Sequence, residues 1–212
     1  DFLIVNKKIK EKLIFEIINQ LKLIYGNDPE KSDSYGRIIS EKHIKFLTSL
    51  IQDQKIIYGG KINKKSRYFE PTLIEIKGFD SNIMEQEIFG PILPIIGYTS
   101  KEEVINIIDN KPKPLALYIQ SKDQKSIAFF IESTTAGGTV INDFMIHYAN
   151  THLPFGGVNN SGIGKSHGYY GFQEFTNERA VMRQRFGATS LLHPPFTSRS
   201  EKLARLLGKW LS

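Results

Sequence analysis

The stretch from Leu115 to Asn142 constrains the fold more than any other part of this chain. "PLALYIQS" is a short apolar run of strand length, and "SKDQKSIAFFIEST" reads as a helix opened by a Ser121/Gln124 capping box. "GGTVIND" then reads as a second strand. Strand, helix, strand at this spacing is a βαβ crossover. It makes the two strands parallel, and parallel strands are covered by helices on their faces. An α/β fold with a parallel-rich sheet is therefore expected.

The rest of the chain keeps the same rhythm. From Asn6 to Tyr25, Ile9, Leu13, Ile17, Leu21 and Ile24 recur at helical spacing, with Gly26 placed to end the helix. Ser40 is positioned to cap a second helix whose Ile44, Leu47, Leu50 and Ile51 face inward. "KIIYGG", "YFEPTLIEI" and "IFGPILPIIGY" are apolar runs cut by glycine and proline, which reads as strands joined by turns. "SKEEVINIIDN" carries another capping box, Ser100 with Glu103.

After Gly171 the texture changes. "RAVMRQRF", residues 179–186, suits an exposed edge strand able to pair with another subunit. Residues 187–212 form a tail. In it Leu203, Leu206, Leu207, Trp210 and Leu211 make one apolar stripe, away from Lys202, Arg205 and Lys209. Ser198 and Glu201 form a third capping box. Docking of this helix on its own protein or a partner subunit is the first expectation, and weak membrane-surface contact through the stripe is the second.

Composition narrows the function classes. The net charge is +6, but the 28 Lys and Arg are scattered and no basic run is interleaved with aromatics, so nucleic acid is not an expected partner. There is no cysteine, which removes disulfides, Cys-based zinc sites and thiol catalysis within these residues. That composition fits a reducing, cytoplasmic setting, with a membrane touched at most peripherally. No apolar stretch reaches the roughly 20 residues that span a bilayer. The chain opens on Asp1 rather than Met, and "DFLIV" starts as a strand, so the sequence reads as a piece of something longer.

Two features invite sharper readings. "FGGVNNSGIG" is rich in glycine, yet it has neither the spacing of a P-loop nor a G-x-G-x-x-G that follows a strand and opens a helix. Its glycines are expected to serve positive φ or close backbone approach instead. His167 could act as a general acid or base on its chemistry alone. His147 and His152 are five residues apart in an expected loop, and no metal site is expected there.

Three stretches taken together are more specific than any one of them. They are "EQEIFGPILPI", "KPLALYIQS" and "LPFGGVNNSGIGKSHG", accompanied by "YGRIIS" and by "IND" followed by "IH". In order and spacing, the chain from Asp1 to about Phe186 resembles the C-terminal half of an aldehyde dehydrogenase catalytic domain. Its details resemble the class 3 enzymes, which include the fatty aldehyde dehydrogenases. The resemblance implies a partial catalytic domain over residues 1–178, an oligomerisation strand over 179–186 that builds a homodimer, and a C-terminal tail with an amphipathic helix over 187–212.

The same resemblance implies an NAD or NADP cofactor and an aldehyde substrate. The Glu of "EIFGP" is expected to accept hydrogen bonds from the ribose hydroxyls beside the nicotinamide, and the Phe to pack against the nicotinamide end. Those roles fall on Glu87 and Phe89, with Gly90-Pro91 turning the chain. A carboxylate suits a vicinal diol because it is an acceptor-only group meeting two donors. Asn142 and Phe155 are placed near the aldehyde pocket, and Met145, Ala149 and His167 along the substrate tunnel.

The family reaction adds a thiol to the aldehyde, passes hydride to NAD(P)+, and hydrolyses the thioester. In the family the nucleophilic cysteine lies just before an Asp-Phe or Asp-Tyr pair, and this sequence begins at such a pair. The nucleophile, the general-base glutamate and the dinucleotide-binding domain are thus expected upstream of Asp1, and these residues alone are expected to be inactive. Two other readings stay open: half of a split enzyme that needs an N-terminal partner, and a non-catalytic oligomerising module.

Overall fold

A computed structural model describes residues 1–76, 81–185 and 193–210 of the chain. Helix α1 spans Lys10–Tyr25 and ends on Gly26, whose N–H reaches back to the Lys22 carbonyl and whose φ of 77° turns the chain out of the helix. Its inward face is Ile14 with Leu13, Ile17 and Ile18 packed around it, whereas Ile9 and Ile24 at the ends of the expected stripe are exposed. Helix α2, Glu41–Ile51, opens at Ser40, whose hydroxyl accepts the His43 N–H. Ile44, Leu47, Leu50 and Ile51 are all buried, as the spacing predicts.

The larger sheet has the strand order β1-β6-β5-β2, built from β1 (Leu3–Asn6), β2 (Lys55–Tyr58), β5 (Thr72–Glu75) and β6 (Ile92–Tyr98). β1, β6 and β5 run parallel, and β2 closes the edge antiparallel with a register shift between Ile56 and Tyr58. A small hairpin of β3 (Ile62–Asn63) and β4 (Tyr68–Phe69) lies apart from it.

Pro94 sits inside β6, an unusual place for a residue with no N–H to donate. The bonds Thr72 N–H to Pro91 O and Ile76 N–H to Ile95 O aim the odd-numbered residues of β6 at β5. The nitrogen of Pro94 therefore faces the side of β1, opposite the residues before Leu3 where that ladder has not begun. No sheet hydrogen bond is lost.

The expected βαβ unit is present. β7 (Ala116–Ile119) and β8 (Gly138–Ile141) are parallel, and α4 (Gln124–Ser133) crosses between them. Helix α3, Lys101–Asp109, leads from β6 to β7. Its Ser100 cap accepts the Glu103 N–H, while the Glu103 carboxylate accepts the Thr99 N–H at 2.9 Å. The cap of α4 differs from the one expected. Asp123, not Ser121, accepts the N–H groups of Lys125 and Ser126, because a carboxylate two residues closer offers two acceptor oxygens. Ser121 instead accepts the Asp123 N–H.

Residues 179–185 join no ladder among the described residues, and Phe186 lies outside them. The cap of the C-terminal helix brings a further correction. After helix α6, Gly168–Glu174, helix α7, Ser198–Trp210, is capped by Thr197 and Ser200 in a reciprocal pair, Thr197 N–H to Ser200 Oγ and Ser200 N–H to Thr197 Oγ1. The expected Ser198/Glu201 box is not used, and Glu201 pairs with Arg205 one turn on. Leu206 and Leu207 are exposed and Leu203 is half-buried, while Leu211 lies outside the described residues. No helix among the described residues is long and apolar enough to cross a membrane.

Candidate active site

The chain around "EIFGP" is shaped by one buried residue between two exposed ones. Ile88 is 1% exposed and joins the core cluster of Leu47, Ile74 and Ile92. Alternation then turns Glu87 and Phe89 outward, and Phe89 is 79% exposed. Phe89 holds a φ of 47°, a region costly for a bulky residue. Its carbonyl accepts from His43 Nε2 at 2.9 Å, which assigns the ring proton to that nitrogen. A β-carbon at Gly90 would lie 2.7 Å from both Leu47 methyl carbons, so only glycine lets the loop sit this close to α2.

Glu87 stands within electrostatic reach of Asp1. The outward carboxylate thus sits beside the residues that lead into β1. Glu87 and Phe89 fit a nicotinamide riboside in chemistry, an unshielded acceptor for a diol next to an open aromatic face.

A second group gathers around Phe155. The His167 ring stacks on Phe155 at 5.3 Å with 28° between planes. Tyr148 meets both rings edge-on, at 5.1 Å from Phe155 and 5.2 Å from His167. His147 lies 5.5 Å from Phe155 and 6.1 Å from Tyr118, which in turn meets Phe144 at 5.4 Å. Both ring nitrogens of His147, and Nδ1 of His167, are enclosed without a hydrogen-bond partner.

The loop glycines explain how Phe155 is placed. A β-carbon on Gly137 would lie 2.4 Å from the Gly156 carbonyl oxygen and 2.5 Å from that of Leu115, so the Phe155 loop is pressed against the N-terminal ends of β7 and β8. Lys165 fastens the contact. Its Nζ donates to the carbonyls of Gly156 at 2.7 Å, Gly157 at 3.1 Å and Gly137 at 3.4 Å. This glycine-rich stretch is a backbone clamp around a lysine and not a phosphate cradle.

Of the residues expected at the substrate pocket, Phe155 and His167 meet. Met145 precedes, and Ala149 ends, the short helix α5 (Ile146–Ala149) that carries His147 and Tyr148; both are exposed, and Met145 has a φ of 58°. Asn142 follows β8, and its Oδ1 accepts the Ser121 N–H at 2.9 Å. With a φ of 57°, Asn142 turns the chain out of the sheet. Tyr118, Phe144, His147 and Tyr148 complete the aromatic group, and sequence reading had not placed them there. Among the described residues no three His, Cys, Asp or Glu side chains gather as metal ligands do.

Comparison with known proteins gives a single answer. The sequence profile of the aldehyde dehydrogenase family matches residues 1–181. The 4,4'-diaponeurosporen-aldehyde dehydrogenase of Staphylococcus aureus is 42% identical, over 92% of this chain and 43% of its own length. The dimeric NADP-preferring aldehyde dehydrogenase of Rattus norvegicus is 38% identical, over 86% of this chain and 40% of its own. The substrate-bound structure of Staphylococcus aureus AldH superposes with a TM-score of 0.83 at 39% identity, covering 98% of this chain and 46% of that one. The chain therefore spans less than half the length of these relatives, and it belongs to the aldehyde dehydrogenase family.

Proposed function

We propose that these residues form the nicotinamide-end and aldehyde-side walls of an enzyme that oxidises aldehydes to carboxylic acids with NAD or NADP. The observation that carries this is the "EIFGP" turn. Ile88 is sunk in the core, and the cost of a positive φ at Phe89 is borne to hold a carboxylate and an aromatic face outward together. In this reading Glu87 accepts both hydroxyls of the ribose beside the nicotinamide, which fixes that end of the cofactor. Phe89 gives the ring an apolar surface and excludes water from one side. When bound, the nicotinamide supplies a hydride acceptor.

The Phe155, His167 and Tyr148 rings provide an apolar wall against which an aldehyde chain can lie, with Met145 and Ala149 on the α5 side. These 212 residues contain no cysteine, so the thiolate of the family reaction belongs to a part of the enzyme they do not include. The purified 212-residue chain should show no NAD(P)+-dependent turnover. Aliphatic, long-chain aldehydes are the proposed substrates, with α7 near the entrance. Truncation after Phe186 in the native-length protein should change chain-length preference, and an unchanged preference would remove that role.

The test of the cofactor site is Glu87→Gln in the native-length protein. Replacing a charged acceptor by an amide removes charge-assisted bonds of about 1.5–3 kcal/mol, which corresponds to a rise in KM for the nucleotide of roughly ten- to hundredfold. The aldehyde KM should move far less. Equal cofactor KM values for variant and parent would sink the assignment.

A further inference from the structure

We infer that Lys165 is a positioning residue for the aldehyde side of the enzyme. Its ammonium, seated on three backbone carbonyls, fixes the stack of His167 on Phe155. The inference rests on the aldehyde-wall reading above for its kinetic consequence alone, and the placement of the two rings stands on its own geometry.

A lysine ammonium carries three N–H donors and no acceptor. Here its donors are met by the carbonyls of Gly156, Gly157 and Gly137, and none of these acceptors is a carboxylate. Lysines drawn out of water are ordinarily paired with an acid. Among the described residues no carboxylate forms an ion pair with Lys165. Glu174, at the end of α6, binds the same residue through its backbone instead, its Oε1 accepting the Lys165 N–H at 3.0 Å. Backbone and head of Lys165 are therefore both held.

Three half-buried carbonyls that converge need a donor at the point where they meet. The ammonium is that donor. It joins three parts of the chain: Gly137, which leads into β8, the Gly156-Gly157 pair after Phe155, and the turn that carries His167. The seat presents carbonyl oxygens, the opposite polarity to the N–H groups that cradle a phosphate.

The two rings hang from this clamp through one bridge. Phe155 N–H donates to Ser166 O at 3.1 Å, and Ser166 N–H to Phe155 O at 2.7 Å, as an isolated antiparallel pair. Ser166 Oγ adds a bond to Phe155 O at 3.0 Å. Antiparallel order places Gly156 opposite Lys165 at one end of the bridge, where Nζ bonds. At the other end the chain turns through His167 and Gly168, with φ of 75° and 49°. A β-carbon at Gly168 would lie 2.1 Å from Thr151 O, so that turn is pressed against the segment after α5. Even a whole two-stranded hairpin is only marginally stable alone in water, so a bridge of one residue pair needs outside support. Lys165 supplies it by tying the Gly156 end to the βαβ unit at Gly137.

The test is Lys165→Met in the native-length protein, read first on His167. In isotope-labelled histidine the imidazole C–H resonances of His167 are displaced by the ring current of Phe155. Lys165→Met keeps the length of the side chain and removes its charge and donors, so these resonances should move toward those of a free imidazole. Lys165→Arg keeps charge and donors and should stay near the parent. The aldehyde KM should rise at least about fivefold in Lys165→Met, while the nucleotide KM stays within about twofold. Should Lys165→Met not fold, Lys165→Gln carries the same comparison, since it too lacks the charge. Unmoved His167 resonances in a folded neutral variant would overturn the inference. Equal displacement in Lys165→Arg would also overturn it, by assigning the effect to side-chain shape. Displaced resonances with an unchanged aldehyde KM would keep Lys165 as the anchor of the stack and remove the aldehyde-wall reading instead.

Discussion

Phe89 is held in a conformation that its side chain resists, and three neighbours do the holding. A positive φ at a non-glycine residue costs on the order of 1–3 kcal/mol, so it persists only where the surroundings impose it. Here Ile88 is locked in the core, Gly90 lies against Leu47, and His43 binds the Phe89 carbonyl. Leu47 is fully buried and has nowhere to retreat. Gly90→Ala should therefore destabilise the fold by about 1–3 kcal/mol through overpacking, read as a lower urea midpoint at unchanged slope. A midpoint within error of the parent would mean that Leu47 yields and that the turn is looser than described. Glu87 and Phe89 were legible in the sequence because their motif is contiguous. Tyr148 and His147 were not, because their partners Phe155 and His167 lie 7 to 19 positions further along and meet them only once Lys165 clamps the loop.

Elements were legible wherever apolar periodicity was long, and illegible where short polar residues compete to cap them. α2 matched its pattern residue for residue, whereas the start of α4 passed from Ser121 to Asp123. Asp123→Ala should cost about 1 kcal/mol and Ser121→Ala clearly less, since only Asp123 satisfies two free N–H groups of the helix. Equal losses in chemical denaturation would restore Ser121 as the cap. A second device binds elements together. Glu75 of β5 accepts from Lys10 of α1 and Lys55 of β2. Hydrogen bonds from Lys10, then Lys55, bring its carboxyl from 4.5 to about 2, against a smaller opposing effect of burial. A depressed carboxylate stabilises the fold fully above the unfolded value, and the contribution fades as pH falls from about 4.5 toward 2. Urea midpoints measured across that window should fall more steeply for the parent than for Glu75→Gln. Parallel curves would show that the triad contributes nothing to folding.

At the scale of the molecule, the sequence announced parallel strands but could not say which edges would meet. A βαβ unit fixes the relation of β7 to β8 and is silent about what lies beside β7. Residues 179–185 pose the same problem toward solution. Val181 is 80% and Met182 96% exposed, on a segment that joins no strand ladder among the described residues, yet its sequence is that of a strand. If it pairs with a second subunit, adjacent residues aim their N–H groups at opposite edges, so only one of Val181 and Met182 can donate across the interface. Val181→Pro and Met182→Pro in the native-length protein should then differ. One should weaken the dimer at least about tenfold, and the other should leave it nearly intact. Sedimentation velocity over a dilution series separates the two outcomes. Losses of equal size would point to a general disturbance of the segment, and two intact dimers would place the subunit interface elsewhere.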